Sequence, residues 1–568
     1  MKTWVIDFEF LAESGHRPRP WCVVGMDAET GEVVRAWLDG ADVRCPFVPP
    51  YRMVAHYALA ELGCYEVLGW TFPDQVVDTL AEARTIRGQV PIGGWGLLSV
   101  AHWLGVSTMS TEHKGEMRSV AMAEEVAPED REPLLDYCQD DVAATLEVWR
   151  RLAPVVDIPR AELRGRYLKS LTRVEARGIP VDVGLANKLV LGWPEVKTRV
   201  RAGLVETYPG VLSETGSFTS KGWATWCESE NIRWPKLPSG ALALAEDTFK
   251  KMADRHPEVR RMAYGRKMLG QLRAPELPVG PDGRLRCMLS PFGSDTGRNQ
   301  PSNSRFAFGW PSWMRSLVVA PVGKVLAYVD YSSQEFAIAA ALAGDSAMAL
   351  DYASGDPYLA FARRAGAVPS DATKTSHPVE RSTFKVAALA VQYGMGGLSL
   401  ADSAAMSLPA AERLIRAHQD AYPDFWRWRQ NIADHVGMGG ELTTRFGWRR
   451  KLRPNDRATS IGNFLVQGAG AETLRLAIIA LEEAGHRVIA PVHDALLVEM
   501  DAGTIATQLP EVCRLMRQAA IVVTGGLEVR VDTELVQPGE HYKDARGREM
   551  WEMVAPVIGL ELGLDGYP

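Results

Sequence analysis

Along residues 324–344 the hydrophobic pattern changes from that of a strand to that of a helix. The run from Val325 to Val329 is apolar and β-favouring, so it predicts a buried strand that delivers Asp330 to its open end. The Ala-rich run over residues 336–342 predicts a helix closed by Gly344. A carboxylate between such elements can hold a metal ion, or it can simply cap the helix. This stretch alone favours the cap.

A second stretch shifts the balance towards a metal site. Two apolar runs within residues 488–499 meet at His493 and Asp494, which predicts a hairpin with a carboxylate at its tip. Pro491 argues against a central strand, so this arm is expected at a sheet edge or at a bulge. If Asp330 and Asp494 end strands of one sheet, they can share two divalent cations. Such a pair stabilises both the attacking and the leaving oxygens in phosphoryl transfer.

Between these stretches lies a cationic helical stripe. Arg381, Lys385, Leu389 and Tyr393 follow one another at i+4 steps along a predicted helix that ends at Gly394. Stripes of this kind usually face a core, but Arg and Lys are rarely buried unpaired. A cationic helix face suits the phosphates of a nucleoside triphosphate.

These three segments resemble the motifs of family A DNA polymerases, the family of bacterial DNA polymerase I. Residues 330–335 resemble motif A, residues 381–394 motif B, and His493-Asp494 motif C, in the family's order and at similar separations. Residues 296–303 and the tail at 541–547 look like the bacteriophage branch. The resemblance implies template-directed DNA synthesis.

The resemblance also implies the catalytic groups. Asp330 and Asp494 would bind two Mg²⁺ ions, with Mn²⁺ as an alternative. One ion would lower the pKa of the primer 3′-hydroxyl, and the other would hold the triphosphate and the leaving pyrophosphate. Lys385 would act as the general acid for pyrophosphate.

A further group is implied to bind the incoming dNTP: Arg381, Lys385, Leu389, Tyr393, Glu335 and Gln334. Glu335 would pack beneath the sugar and form a hydrogen bond with Tyr393. Alternatively, a Glu at this position can simply cap the start of the helix. Gln334 stands where the family usually has Ile. Leu389 stands where the family has Phe or Tyr, which predicts discrimination against dideoxynucleotides.

Four residues are implied to contact DNA: Arg298, Asn463, Gln467 and His493. Arg298 would contact the primer terminus or its phosphates, although in a Gly-flanked turn it can be a plain surface residue. The amides of Asn463 and Gln467 would reach the minor groove of the template–primer. Two family residues are missing, because Thr459 replaces an Arg and Ala495 replaces an auxiliary Glu.

The amino terminus carries a second set of carboxylates. Residues 4–10 alternate so that Asp7 and Glu9 share one face of a predicted strand, which can also be merely a wet face. Tyr137 and Asp141 lie four apart on a predicted helix. These pairs resemble the first and third motifs of DEDD-type 3′–5′ exonucleases, whose carboxylates hold two metal ions and whose Tyr orients the attacking water.

The middle exonuclease motif departs from the family pattern. Glu61 replaces the usual Asp as a metal ligand, and Tyr57 replaces an Asn. Glu can still bind a metal, but its longer stem moves the oxygen and adds a rotor. We therefore expect proofreading activity, and the two substitutions leave open whether it reaches the full level of the family. Asp78 is expected to cap a helix rather than to bind a metal.

The expected fold is α/β and α+β in several domains, an RNase H-like exonuclease domain followed by a right-hand polymerase. A length of 568 residues is consistent with three or four domains. The predicted boundaries are 1–155 for the exonuclease, 156–285 for the thumb, 286–350 for the first part of the palm, 351–452 for the fingers and 453–568 for the second part of the palm. Nothing in the chain is left over for a 5′ nuclease domain.

The net charge of −7 argues against nucleic-acid binding over the whole surface but leaves room for local basic patches. Two basic clusters, residues 260–273 and 445–457, are therefore expected to contact phosphates rather than to form solvated faces. Seven cysteines without a C-x-x-C pair favour a reducing cytoplasm, the host's for a phage protein, and no zinc site. We expect no membrane association.

The expected partners are primer–template DNA, dNTPs and replisome proteins such as a helicase–primase or a single-strand binding protein. Two alternatives remain open at this point. A single-subunit RNA polymerase shares similar motifs, although Glu335 and the exonuclease motifs disfavour it. A catalytically silent nucleic-acid-binding scaffold is disfavoured by Asp330, Asp494 and Lys385. Preference for a modified base such as 2-aminoadenine does not follow from these motifs.

Overall fold

The computed structural model describes residues 1–39, 43–107, 111–213, 217–237, 239–270, 277–404, 406–453, 456 and 458–568. Among these residues the strands form two larger sheets. A sheet of five strands occupies the amino-terminal part and a sheet of four strands the carboxyl-terminal part. Helices fill the sequence between them.

The amino-terminal unit consists of five strands and five helices. Its strands are β1 (Lys2–Leu11), β2 (Arg19–Asp27), β3 (Val33–Trp37), β4 (Tyr51–Ala55) and β5 (Gln75–Asp78). Its helices are α1 (Leu59–Leu68), α2 (Thr79–Ile86), α3 (Leu97–Trp103), α4 (Thr111–Ala121) and α5 (Arg131–Leu152). The strand order is β3-β2-β1-β4-β5, so β1 is central, antiparallel to β2 and parallel to β4. The predicted strand that carries Asp7 and Glu9 is confirmed.

A mainly helical region follows. Its helices are α6 (Ile158–Arg177), α7 (Val183–Leu191), α8 (Trp193–Thr207), α9 (Ser220–Ser229), α10 (Glu246–Arg255) and α11 (Arg260–Gly270), and a short ribbon pairs β6 (Ile179–Pro180) with β7 (Arg284–Leu285). The break between α5 and α6 spans the predicted boundary between residues 155 and 156. Trp223 and Trp234 are buried, and the Trp223 and Trp226 rings stack 4.8 Å apart, so these tryptophans belong to the core as expected.

The second sheet has the order β11-β12-β8-β13 and is antiparallel throughout. Its elements are β8 (Lys324–Tyr331), α12 (Gln334–Ala343), α19 (Ala458–Glu483), β11 (Arg487–Val492), β12 (Ala495–Asp501), α20 (Ile505–Thr524), β13 (Val531–Val536) and α21 (Arg548–Val554). As Pro491 predicted, β11 is an edge strand, and its register shifts between Val488 and Ala490. The predicted hairpin and helix closure are confirmed, with Gly344 in the left-handed conformation.

A helical insertion separates α12 from α19. It contains α13 (Ser346–Ala353), α14 (Pro357–Arg364), α15 (Pro378–Gln392), α16 (Gly397–Ala404), α17 (Leu408–Ala421) and α18 (Pro423–Gly437), followed by the hairpin of β9 (Leu442–Thr443) and β10 (Arg449–Arg450). The segment Ile461–Glu483 of α19 is long and apolar enough to cross a membrane by length and composition alone. Most of it is buried within the protein, as in the core helix of a soluble fold.

Candidate active sites

The second sheet brings the two carboxylates of the predicted metal site together. Asp330 lies near the end of β8, directly opposite Ala495, and Asp494 occupies the tight turn just before Ala495. The His493 backbone is left-handed in this turn (φ 58°), and the Tyr331 amide donates to the Asp494 carbonyl at 3.3 Å. The two carboxyl groups lie within hydrogen-bonding reach of each other. Two strand-end carboxylates therefore share one place, as the sequence predicted.

The electrostatics of this pair suit a cation. Burial, and then the charge of Asp494, raise the pKa of Asp330 to about 7. Asp330 Oδ1 is buried and has no hydrogen-bond partner among the described residues. The alternative that Asp330 merely caps a helix is wrong, because α12 begins after Ser333, which occupies the cap position with φ 52°. Divalent cations supply the positive charge that such a site lacks.

A second group of polar side chains converges beside the start of α12. The Tyr393 hydroxyl donates to Glu335 Oε1 at 2.9 Å, and Arg298 Nη2 lies 3.5 Å from the same oxygen. Gln467 of α19 is within hydrogen-bonding reach of Tyr393. Burial, and then the charge of Glu335, raise the pKa of Tyr393. The predicted contact between Glu335 and Tyr393 is present, and Glu335 is not limited to the first turn of α12.

Gln334 lies behind this group and is buried, with 2% of its surface exposed. A Cβ built on Gly470 of α19 would lie 2.8 Å from Gln334 Oε1, so a larger residue at position 470 would require the Gln334 side chain to shift. The side-chain nitrogen of Gln334 is buried without a hydrogen-bond partner. A polar side chain therefore occupies the apolar place that Ile would fill.

The cationic stripe lies on α15, whose last residue precedes Tyr393. Arg381 Nε donates to Asp356, and the same carboxylate caps α14 by accepting from two backbone amides at 3.2 Å. The Arg381 and Lys385 head groups lie 5.6 Å and 5.8 Å from the Tyr358 ring. Lys385 is exposed, whereas Leu389 is half-buried. Asp356 thus occupies the Nε donor of Arg381 in this structure.

The remaining predicted DNA contacts lie near the same sheet. Arg298 and His493 line one cavity of about 200 Å³. The turn that carries Arg298 is held by Arg475, whose Nη1 donates to the Gly297 carbonyl at 2.6 Å. Asn463 of α19 is buried, and neither its amide nitrogen nor its amide oxygen has a partner in the described structure. Burial lowers the pKa of His493, which favours the neutral ring.

Several members of the basic clusters that were expected to contact phosphates instead form contacts within the protein. In the second cluster, Arg450 and Arg453 each bond Asp295 at 2.7 Å, and Arg453 also reaches the Gln89 carbonyl of the amino-terminal unit. Lys451 lies 3.5 Å from Glu441. Arg450 and Arg453 thus tie this segment to Asp295, and Arg453 also ties it to the amino-terminal unit. Arg457 lies outside the described residues.

The first basic cluster behaves similarly. Arg266 stacks over the rings of Phe218 and Phe249 at 4.2 Å, and Lys267 bonds Glu246 at 2.7 Å. Arg261 lies within 4 Å of acids on α21. Arg273 lies outside the described residues. The sequence shows where basic residues cluster, but it does not show that acids from distant elements neutralise their charge.

The amino-terminal carboxylates also converge. Asp7 and Glu9 of β1 have ligand atoms within 4.8 Å of each other and of Cys138 Sγ. Glu61 of α1 is buried, and its side chain is within hydrogen-bonding reach of Asp7. Burial, and then the charge of Asp7, raise the pKa of Glu61 well above its usual range. Burial, and then Asp141, raise the pKa of Tyr137. The predicted residues from β1, α1 and α5 thus lie close together and form one candidate metal site.

Two neighbours refine this picture. As expected, Asp78 is a cap, because it accepts from the Leu80 amide at 3.0 Å and also from the Tyr57 amide at 2.9 Å. Burial raises the pKa of Asp78 to about 6. Tyr57 adopts a left-handed backbone (φ 73°), and its hydroxyl is buried. A buried phenol thus stands where the family pattern has an Asn amide.

Comparison with known proteins supports the assignment of the second sheet. Residues 305–543, which contain β8 to β13, match DNA polymerase family A. This part of the chain is therefore similar to family A DNA polymerases.

Among the relatives of this chain, the DNA polymerase of Mycobacterium phage L5 is 26% identical over 410 residues, which are 70% of this chain and 66% of the relative. The DNA polymerase of Mycobacterium phage D29 is 27% identical over 402 residues, 68% of this chain and 65% of the relative. The thermostable DNA polymerase I of Thermus caldophilus is 26% identical over 406 residues, 66% of this chain and 47% of the relative. The chain thus matches less than two thirds of these relatives' length.

A solved structure shares the fold. It is the POL domain of Pol1 from M. smegmatis in a complex with DNA primer-template and dNTP. The two folds superpose with a TM-score of 0.70 over 95% of each chain, at 18% sequence identity. This likeness extends over nearly the whole mixed α/β architecture of the chain and shows a shared fold.

Proposed function

We propose that this chain is a DNA-directed DNA polymerase that extends a primer by two-metal phosphoryl transfer. The proposal depends on one observation: Asp330 and Asp494 lie next to each other at the end of one sheet. Glu335 follows on the next helix, and its hydrogen-bonded pair with Tyr393 could distinguish a deoxyribose from a ribose. Relatives named as DNA polymerases in two mycobacteriophages and in Thermus support it. The substrates would be primer–template DNA and dNTPs.

The palm residues fit Mg²⁺. Carboxylate oxygens are its preferred protein ligands, and Asp330 Oδ1 is buried without a donor. Asp330 and Asp494 would hold the ions, which when bound would activate the primer 3′-hydroxyl and neutralise the triphosphate. Lys385, exposed on α15, would deliver a proton to pyrophosphate, and Arg381 would bind the phosphates after leaving Asp356.

Other residues would hold the nucleic acid and the base pair. Arg298 would contact the primer terminus, and His493 lines the same cavity. The unpaired amide of Asn463, together with Gln467, would reach the minor groove, where amides find acceptors on any base pair. Leu389, Tyr393 and Gln334 would surround the incoming nucleotide. Replisome proteins would be further partners.

We also propose that the amino-terminal unit is a 3′–5′ exonuclease. Asp7, Glu9, Glu61 and Asp141 would hold metal ions, and Tyr137 would orient the attacking water. Asp7 and Glu9 have ligand atoms within 4.8 Å of each other, and burial and then the charge of Asp7 raise the pKa of Glu61. The long side chain of Glu61 comes from α1 rather than from the central strand, and it nevertheless reaches Asp7.

Primer extension tests the polymerase proposal. Asp330→Asn and Asp494→Asn should each abolish extension with dNTPs, because each removes a metal ligand, while 3′–5′ degradation of a single strand persists. Primer extension with dNTPs and with NTPs measures both. Wild-type extension with NTPs but not dNTPs would indicate an RNA polymerase, and no extension with either would indicate a silent scaffold. Extension near wild type in either variant would refute the metal assignment.

A further inference from the structure

Asp330 has two direct neighbours across the sheet. On one side, Ala495 of β12 lies opposite it, and on the other side Asp532 of β13 does. Directly opposed residues of antiparallel strands project to the same face, with Cβ atoms about 4.5–5.5 Å apart. Of the two residues that flank Asp330 across the sheet, Asp532 therefore carries a carboxylate and Ala495 does not.

The surroundings of Asp532 keep it available to a cation. Asp532 is exposed, and the Ser332 hydroxyl donates to its Oδ2 at 2.6 Å. Among the described residues, no arginine or lysine forms a salt bridge with Asp532. Two residues along β13, Glu534 lies opposite Tyr328 on the same face. The charges of Asp494, Asp532 and Glu534 all act on Asp330.

The strand ladder thus assembles an acidic row around a buried carboxylate oxygen that has no partner. Asp330 Oδ1 has no donor in the described structure, and the nearest carboxylates come from β13 and from the Asp494 turn. In the part of the chain that the structure describes, none of these four carboxylates forms a salt bridge with a lysine or an arginine. They repel one another, and a divalent ion would relieve that repulsion.

We propose that Asp532 is a further ligand or orienting carboxylate of the palm metal site, and that β13 supplies the charge which Ala495 of β12 cannot. This inference rests on the proposed polymerase function. Asp532 would hold an ion directly or through one of its waters, because Mg²⁺ usually keeps several waters when bound by few carboxylates. Ser332 would orient the carboxylate, as partners of metal ligands do.

Direct ion binding tests this role. Mn²⁺ binding is measured by electron paramagnetic resonance on the full-length chain, in an Asp7→Ala/Glu9→Ala background that silences the amino-terminal site. Asp532→Asn should weaken palm Mn²⁺ binding about tenfold. Asn retains the size of Asp and can still accept from Ser332, so folding should be preserved. Asp532→Glu, which keeps the charge, should retain most of the affinity.

Glu534→Gln is the matched control. It removes one negative charge from the same face of the same strand, but Glu534 lies opposite Tyr328 and not opposite Asp330. It should weaken binding less than Asp532→Asn. Equal losses in the two variants, or parental affinity in Asp532→Asn, would overturn the inference. Asp330→Asn separates the two proposals. If it weakens Mn²⁺ binding while Asp532→Asn does not, only the Asp532 role fails. If it has no effect, the palm metal site itself is wrong.

Discussion

We propose that a single side chain, Glu335, decides sugar selection in this site. Glu335 is held by Tyr393 and lies near Arg298, so a ribose 2′-hydroxyl would have to displace the carboxylate or remain unpaired against it. A poorly accommodated buried polar group costs about 1–3 kcal/mol. Glu335→Ala should therefore raise the rNTP/dNTP ratio of kcat/KM by about 10- to 100-fold. Single-nucleotide insertion kinetics measure this ratio.

Tyr393→Phe provides the control for this prediction. It keeps the ring but removes the hydroxyl that donates to Glu335, so it should relax sugar selection less than Glu335→Ala does. An unchanged ratio in Glu335→Ala would leave Glu335 with only a structural part in the first turn of α12. Sugar selection would then lie in another residue.

Helix α15 is restrained by its neighbour α14. The Asp356 carboxylate caps α14 and at the same time binds Arg381, so it competes with the triphosphate for this guanidinium. Asp356→Asn keeps a good cap and removes the charge. A partly exposed ion pair is worth about 0.2–1 kcal/mol, so the KM for dNTP should fall by about 1.4- to 5-fold. Steady-state kinetics at saturating primer–template measure it.

The pair of Asp424 and Arg427 offers a matched control within the same insertion. Asp424→Asn removes an equal charge from an exposed pair at 2.6 Å on α18, and it should leave the KM for dNTP unchanged. A KM that rises in Asp356→Asn would mean that Asp356 orients Arg381 for the phosphates rather than competing with them.

Across the whole molecule, the two groups of carboxylates lie in separate sheets. The units are nevertheless packed together, for Arg164 of α6 binds Glu82 of α2 in a buried bidentate pair at 2.6 Å. Asp7→Ala combined with Glu9→Ala should lower 3′–5′ degradation at least about 100-fold, since it removes two metal ligands, while primer extension is retained. Degradation of a labelled single strand and extension of a primer measure the two activities.

Undiminished degradation in this double variant would remove the exonuclease proposal and leave Glu61 in a merely structural site. Loss of extension together with degradation would show that the amino-terminal unit also supports the palm. Tyr137→Phe adds a finer comparison, because it retains the four carboxylates and removes only the hydroxyl that is assigned to the attacking water.

The sequence by itself determined the local elements and the carboxylates at their ends. The β-favouring run before Asp330, the hairpin at Asp494 and the alternation around Asp7 each depend on neighbours a few residues away, so local periodicity predicts them. Pro491 likewise indicated an edge strand, because proline cannot donate to a ladder. The contact between Glu335 and Tyr393 followed from a resemblance rather than from periodicity.

Only the tertiary structure decided which distant groups meet these side chains. Asp532 lies beside Asp330 because β13 pairs with β8, and a D-x-E pattern at a late strand was the one local signal of it. Arg453 and Arg381 are neutralised by Asp295 and Asp356, which lie on other elements. Charge runs report the composition of a surface, whereas the partner of a charge depends on packing between segments far apart in the chain.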